Sequence, residues 1–324
     1  MKSVSIGKTR GIQRCSTPSG KFVILALDHR NNMRKLLHPE QEQLTTAEEI
    51  TDFKLQVMRS MGPIPSAYLL DPLYSAAQVI SHEVLPRDAG LLVALEASGY
   101  TGDPSSRVSS ILPGWSVRKI KRMGADAVKL LVYYHPQAPS HHEIECLLEE
   151  TAQECSKEDI PLFLEILTYP LEPAQGKLSG KERHDVVVES AQRLTARGGD
   201  VLKVEFPFDI WQSADVGEWE KACRVLTKSI QIPWILLSAS VDFATFHKQV
   251  TAACRGGASG VAVGRAVWKE AADLRADERT HFLDSTAAER MQMVTEVVET
   301  QAASWHNYFT PTAINERWFC EYGG

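Results

Sequence analysis

This 324-residue chain lacks paired cysteines, long apolar runs and a surplus of basic residues. Its six cysteines (Cys15, Cys146, Cys155, Cys223, Cys254, Cys320) are scattered, with no CxxC pair. That spacing argues against a disulfide-framed secreted module and points to free thiols in a reducing cytoplasm. No stretch approaches the roughly 18 apolar residues needed to span a bilayer. The opening residues 1–8 lack the apolar core of a signal peptide, so no membrane partner is expected. A formal net charge of -6 leaves no broad positive field for nucleic acid, and any phosphate recognition must be local. No G-x-G-x-x-G follows the first apolar run, which removes the usual dinucleotide signature. Ten histidines are present, but none in H-x-H or H-E-x-x-H spacing, so no metal or other cofactor is expected. Ser238 has no nucleophile-elbow glycines around it, which argues against serine hydrolysis.

What the chain does have is a series of eight near-continuous apolar runs. They cover residues 22–27, 67–70, 90–95, 127–134, 161–167, 201–204, 234–237 and 260–263, and most end in a charged or polar residue. Runs without period-2 alternation indicate parallel strands buried on both faces. Helical sequence lies between them at 40–61, 116–123, 140–155, 181–197, 216–230 and 242–255. Ser140 with Glu143 reads as a capping box, and Gly62, Gly124, Gly198 and Gly256 stand where helices should stop. The reading is an α/β chain forming one (β/α)8 TIM barrel domain over 1–324, with a core at about 20–305 and an aromatic tail at 306–324. An open doubly wound sheet is the alternative. A tail this apolar docks either on its own domain or on a partner subunit, and barrels of this kind commonly form homo-oligomers.

Lys203 lies in the middle of the sixth run, Val201-Leu202-Lys203-Val204. A buried ammonium is costly unless it is paired or deprotonated, and a desolvated amine is a nucleophile suited to Schiff-base chemistry. A structural salt-bridged lysine is the other reading. Side chains alternate along a strand, so Lys129, Glu165 and Lys203 project from the fourth, fifth and sixth strands toward one pocket. Two neighbouring ammoniums depress each other's pKa, and a carboxylate between them can move protons. A structural ion pair filling the barrel is the alternative for Lys129 and Glu165. Asp28 and Asp71 close the first two runs, either as site residues or as helix caps. Ser238, Gly264 and Arg265 end the seventh and eighth runs, where barrels often hold phosphate. A glycine amide beside a guanidinium fork fits that role; a tight barrel corner with a surface arginine is the other reading.

Several segments carry a resemblance. They include Ala26-Leu27-Asp28-x-Arg30, Leu69-Leu70-Asp71-Pro72, Gly99-Tyr100, Trp115-Ser116 and Ala127-Val128-Lys129-x-Leu131-x-Tyr133-Tyr134. Further along come Phe163-Leu164-Glu165-x-Leu167-Thr168-Tyr169, Asp200-Val201-Leu202-Lys203-Val204-Glu205-x-Pro207, Leu237-Ser238-Ala239 and Gly264-Arg265-Ala266-x-Trp268. In order and spacing the chain resembles the class I tagatose 1,6-bisphosphate aldolases, with the sulfofructose-phosphate aldolases as relatives. The resemblance implies that Lys203 forms an imine with a ketose phosphate and Glu165 acts as general acid and base. It implies that Lys129 and Asp28 assist at the reacting hydroxyls, and that Ser238, Gly264 and Arg265, with Arg30 and Asp71, bind the sugar phosphate. The implied products are dihydroxyacetone phosphate and glyceraldehyde 3-phosphate, without a metal. 6-Deoxy-6-sulfofructose 1-phosphate is the alternative substrate, and a non-catalytic sugar-phosphate-binding protein is the alternative of another class. His29 stands where the family carries glutamine, Ser240 where it carries glycine, and the tail from Tyr308 onward extends past the resemblance.

Overall fold

All eight apolar runs form strands in the computed structural model, which describes residues 2–239, 241–312 and 314–322. They are β1 (Phe22–Ala26), β2 (Ala67–Leu70), β3 (Gly90–Ala94), β4 (Ala127–Tyr134), β5 (Leu162–Thr168), β6 (Val201–Val204), β7 (Trp234–Leu237) and β8 (Gly260–Val263). Each pairs in parallel with the next, and β8 pairs with β1, closing the barrel. Closure leaves no strand edge, and burial on both faces explains why no alternation was visible in the runs. The helices lie outside: Phe53, Leu148, Leu194, Leu226, Val250 and Val298 are buried members of one continuous apolar core.

The helix Ala47–Met61 begins with a capping box in which Thr46 accepts from the Glu49 N–H and Glu49 accepts from the Thr46 N–H. The box read at Ser140 and Glu143 does not form. Ser140 has helical backbone angles, and its hydroxyl donates instead to the carbonyl of Arg107, 3.0 Å away.

The N-terminal end of the barrel is plugged by the helix Ile6–Cys15. A Cβ built on Gly11 would lie 2.3 Å from the Asp126 carbonyl oxygen and 2.6 Å from the Pro161 ring, so only glycine lets this helix seat under β4 and β5. Lys8 pairs with Asp200 at 2.9 Å just below β6, and Asp200 also accepts from the Leu162 N–H. The first part of the apolar tail docks on its own chain, Phe309–Pro311 pairing in parallel with Lys2–Val4, whereas Ile314 and Phe319 are exposed. The Trp305 indole donates to Ser16, and the Tyr322 hydroxyl reaches Asp159. With this end closed, the mouth lies at the opposite, C-terminal ends of the strands.

No helix among the described residues is long and apolar enough to cross a membrane.

Candidate active site

A cavity of about 680 Å³ opens at the C-terminal ends of the strands. The barrel register determines what points into it. Glu165 on β5 lies directly across from Lys203 on β6. Lys129 on β4 is level with Phe163, whereas Leu131 is level with Glu165. Lys129 therefore starts two residues deeper, as barrel shear requires, and its four-carbon chain brings the ammonium up to the others.

There the Lys129 ammonium donates to Asp28 at 2.7 Å and to Glu96 at 2.6 Å, and lies 3.1 Å from Glu165 Oε2. The Lys203 ammonium donates to the same Glu165 oxygen at 2.8 Å. Lys129, Lys203, Glu96 and Glu165 are nearly inaccessible, with Lys129 1% and Lys203 5% exposed, and Asp28 is partly buried. Burial alone would lower the Lys129 pKa, but Asp28, Glu165 and Glu96 outweigh it and raise the pKa well above the ordinary lysine value. The mutual depression expected of two adjacent ammoniums thus does not occur at Lys129. Burial alone would raise the Asp28 carboxyl, but Lys129, Lys203 and His29 hold it well below the usual carboxylate range.

Glu96, just after β3, also lines the cavity, and nothing in the sequence pattern around it distinguishes it. Its second oxygen accepts the Leu131 N–H at 3.1 Å. Arg30 donates to its backbone carbonyl at 2.8 Å and lies 3.6 Å from its carboxylate. A glutamate closing a strand looks the same whether it faces solvent or the cavity; the available signal was that three other strand-end residues already converged there. Asp28, Glu96 and Glu165 form an acidic ring whose centre is filled by the Lys129 ammonium.

Ser238, Gly264 and Arg265 meet at the far wall, at the C-terminal ends of β7 and β8. The Gly264 N–H donates to the Ser238 hydroxyl at 2.9 Å. A Cβ on Gly264 would stand 3.1 Å from His29 and 3.2 Å from the Ala26 carbonyl oxygen, so a side chain here would press on the first strand. Among the described residues, His29 Nδ1, Arg30 Nη1 and Arg265 Nε are buried without a hydrogen-bond partner, and all three side chains line the cavity. Buried donors left unpaired by the protein suit a polar ligand. Burial pushes the His29 pKa down to about 3; Asp28 works against that shift, while Arg265, Lys54 and Lys203 add to it. Ser240 lies outside the described residues.

Asp71 does not reach the cavity. It is fully buried beneath the loop after β2, paired with Lys54, and accepts from the N–H groups of Leu73 and Tyr74 and from the Ser75 hydroxyl. Both oxygens are engaged in holding that turn; the helix Ala76–Ser81 that follows has no side-chain cap, so Asp71 neither caps it nor lines the cavity.

Residues 22–270 match the model of the DeoC/LacD family aldolases. The chain is 31% identical over 319 residues to a tagatose 1,6-diphosphate aldolase 2 of Streptococcus mutans, covering 91% of this chain and 95% of the relative. It is 30% identical over 324 residues to a tagatose 1,6-diphosphate aldolase 1 of Enterococcus faecalis, covering 94% and 98%. Among solved structures, an archaeal fructose 1,6-bisphosphate aldolase superposes with a TM-score of 0.60 at 22% identity, covering 90% of this chain and 99% of that one. The fructose-bisphosphate aldolase of Plasmodium falciparum gives 0.69 at 13% identity, covering 93% and 98%. These last two speak for the barrel; the family match and the sequence relatives reach further, over nearly the whole chain, and with them the chain belongs to the DeoC/LacD family of aldolases.

Proposed function

We propose that this protein is a class I aldolase that cleaves a ketose 1,6-bisphosphate, most economically tagatose 1,6-bisphosphate, to dihydroxyacetone phosphate and glyceraldehyde 3-phosphate. The observation that carries the choice of nucleophile is the unequal company of the two buried lysines. Lys129 is ringed by three carboxylates and stays an ammonium, whereas Lys203 has Glu165 alone. Lys203 gives its proton to Glu165, 2.8 Å away, and its free amine attacks C2 of the ketose. Glu165 returns the proton as the carbinolamine loses water, leaving an iminium that draws electrons from the C3–C4 bond. Deprotonation of the C4 hydroxyl breaks that bond and releases the aldehyde. The remaining enamine is protonated at C3 and hydrolysed to free the second product. Lys129 and Asp28 fix the sugar hydroxyls, and Glu96 and Arg30 hold Lys129 in place. Ser238, the Gly264 amide and Arg265 bind the C1 phosphate, with Arg30 Nη1 donating to the sugar.

The tagatose preference is supported by the relatives named above and by the extent of the match. The six cysteines are free, in keeping with a reducing cytoplasm, and exposed apolar side chains such as Leu73 and Ile80 suit a homo-oligomer. Borohydride added with dihydroxyacetone phosphate tests the central step. One lysine is labelled, and Lys203→Met abolishes the labelling; label retained on that variant removes Lys203 as the imine residue.

A further inference from the structure

The bond-breaking centre and the C1 phosphate wall account for one side of the cavity. The other side carries a device that none of the steps above use. After β3 the chain makes a short antiparallel hairpin over the mouth, in which Thr101 and Val108 exchange both backbone hydrogen bonds. The hairpin presents Arg107 to the cavity. Its guanidinium carbon lies 4.5 Å from the Tyr169 ring centre, 4.6 Å from that of Tyr100 and 5.7 Å from that of Tyr133.

The backbone on either side of this side chain is tied down as well. The Arg107 N–H donates to the Tyr169 hydroxyl at 3.2 Å, its carbonyl accepts from Ser140, and its Nε donates to Pro104. Among the described residues, no carboxylate pairs with Arg107, and its two terminal amino groups have no hydrogen-bond partner. An arginine held by stacked aromatic rings yet left without a counter-ion is an anion receptor already fixed in its binding geometry. Of the neighbouring cations, Arg183 lies 3.6 Å from Glu205, Arg30 is held by Glu96 through Nη2 with Nη1 already assigned to the sugar, and Lys177 is exposed.

Position in the ring assigns the anion. In the closed order β1 to β8, the Arg265 wall follows β8, whereas Tyr133 and Tyr169, which grip Arg107, belong to the ends of β4 and β5. β4 and β8 face each other across the barrel, and Lys203 on β6 lies midway around one side. A ketose joined to Lys203 through C2, with its C1 phosphate at Arg265, extends its C3 to C6 arm toward Arg107. We propose that Arg107, set in its cage of Tyr100, Tyr133 and Tyr169, binds the tetrahedral anion on C6, and that this anion is a phosphate. The inference rests on the aldolase reading, because that reading places C2 at Lys203.

The test compares kcat/KM for a ketose 1,6-bisphosphate with that for the corresponding ketose 1-phosphate in the whole protein. Arg107→Met lowers the ratio of the two about 100-fold, mainly through KM for the bisphosphate, as expected for loss of a bidentate charge-assisted contact. Arg107→Lys keeps the charge without the fork and gives an intermediate ratio. Lys221→Met, on an exposed helix face outside the cavity, removes the same charge and leaves both activities as they were. Imine trapping with dihydroxyacetone phosphate reports that Arg107→Met is folded, since that ligand has no C6. A ratio unchanged in a variant that still traps the imine overturns the assignment. Loss confined to the 6-deoxy-6-sulfo 1-phosphate substrate assigns a sulfonate instead and overturns the phosphate. Failure of the unaltered protein to trap an imine removes the aldolase reading, and this inference with it.

Discussion

His29 stays neutral in the folded protein well into the acid range, because burial outweighs its attraction to Asp28 and brings its pKa from 6.5 to about 3. Unfolding releases the imidazole to bind a proton below pH 6.5, so between those values the unfolded state holds more protons and stability falls as pH falls. One proton corresponds to a slope of about 1.4 kcal/mol per pH unit. Chemical denaturation at pH 7 and pH 5 should therefore show a smaller acid loss in His29→Gln, by up to about 2 kcal/mol; an equal loss in both proteins would place the acid sensitivity elsewhere. Asp28 acts in the same direction at lower pH. Its depressed pKa contributes stability that is present above the unfolded carboxylate value and lost as the folded value is approached. At this scale much of the site was legible in the sequence. Lys129, Glu165 and Lys203 announced themselves because a charge inside an apolar strand needs a reason. Glu96 and Arg107 did not, since a charged residue at a strand end or in a hairpin needs none. Asp71 had the same outward signature as Asp28, and only the position of Lys54 separates the two.

The elements were legible where periodicity or burial controls them, and less so where local hydrogen bonds compete. All eight strands lie on apolar runs, because a strand buried on both faces must be apolar throughout. Register was partly hidden. Alternation places Lys129 on the inward face, but the two-residue offset from Glu165 comes from barrel shear, which one strand alone does not encode. The helix Ile6–Cys15 was not read at all. Its composition is too polar to signal burial, and its seat depends on one residue, Gly11. Exchanging Gly for Ala inside a helix ordinarily gains up to about 1 kcal/mol. Here the added methyl meets a backbone oxygen and a proline ring, and overpacking of that kind costs about 1–3 kcal/mol or more. Gly11→Ala is thus expected to melt a few degrees lower by calorimetry; a rise in Tm would mean that the helix can move off the barrel floor.

Across the whole molecule, chemistry and closure are divided between opposite ends. The mouth holds every side chain of the proposed reaction, while the floor holds the plug helix, Lys8 with Asp200, and the tail. The sequence leaves open whether the tail covers its own domain or a partner; Ile314 and Phe319 are exposed, whereas Phe309–Pro311 before them pairs with Lys2–Val4 of the same chain. Phe309 is buried there, which contributes about 2–3 kcal/mol. Removing residues 309–322 should lower Tm by several degrees while leaving imine trapping at Lys203 intact. A loss of trapping at temperatures where the shortened protein is still folded would show that floor and mouth are coupled.

The floor also sets an order in time. Lys2 lies opposite Phe309 and Val4 opposite Pro311, so this strand and its partner are separated by some three hundred residues of chain. The plug helix that follows it must wait for the ends of β4 and β5 before Gly11 has anything to fit beneath. Residues 2–15 therefore stay unpaired while the barrel assembles from neighbouring strands, whose contacts close shorter loops. Residues 2–4 and 309–311 then meet in one late step, because theirs is the longest loop to close.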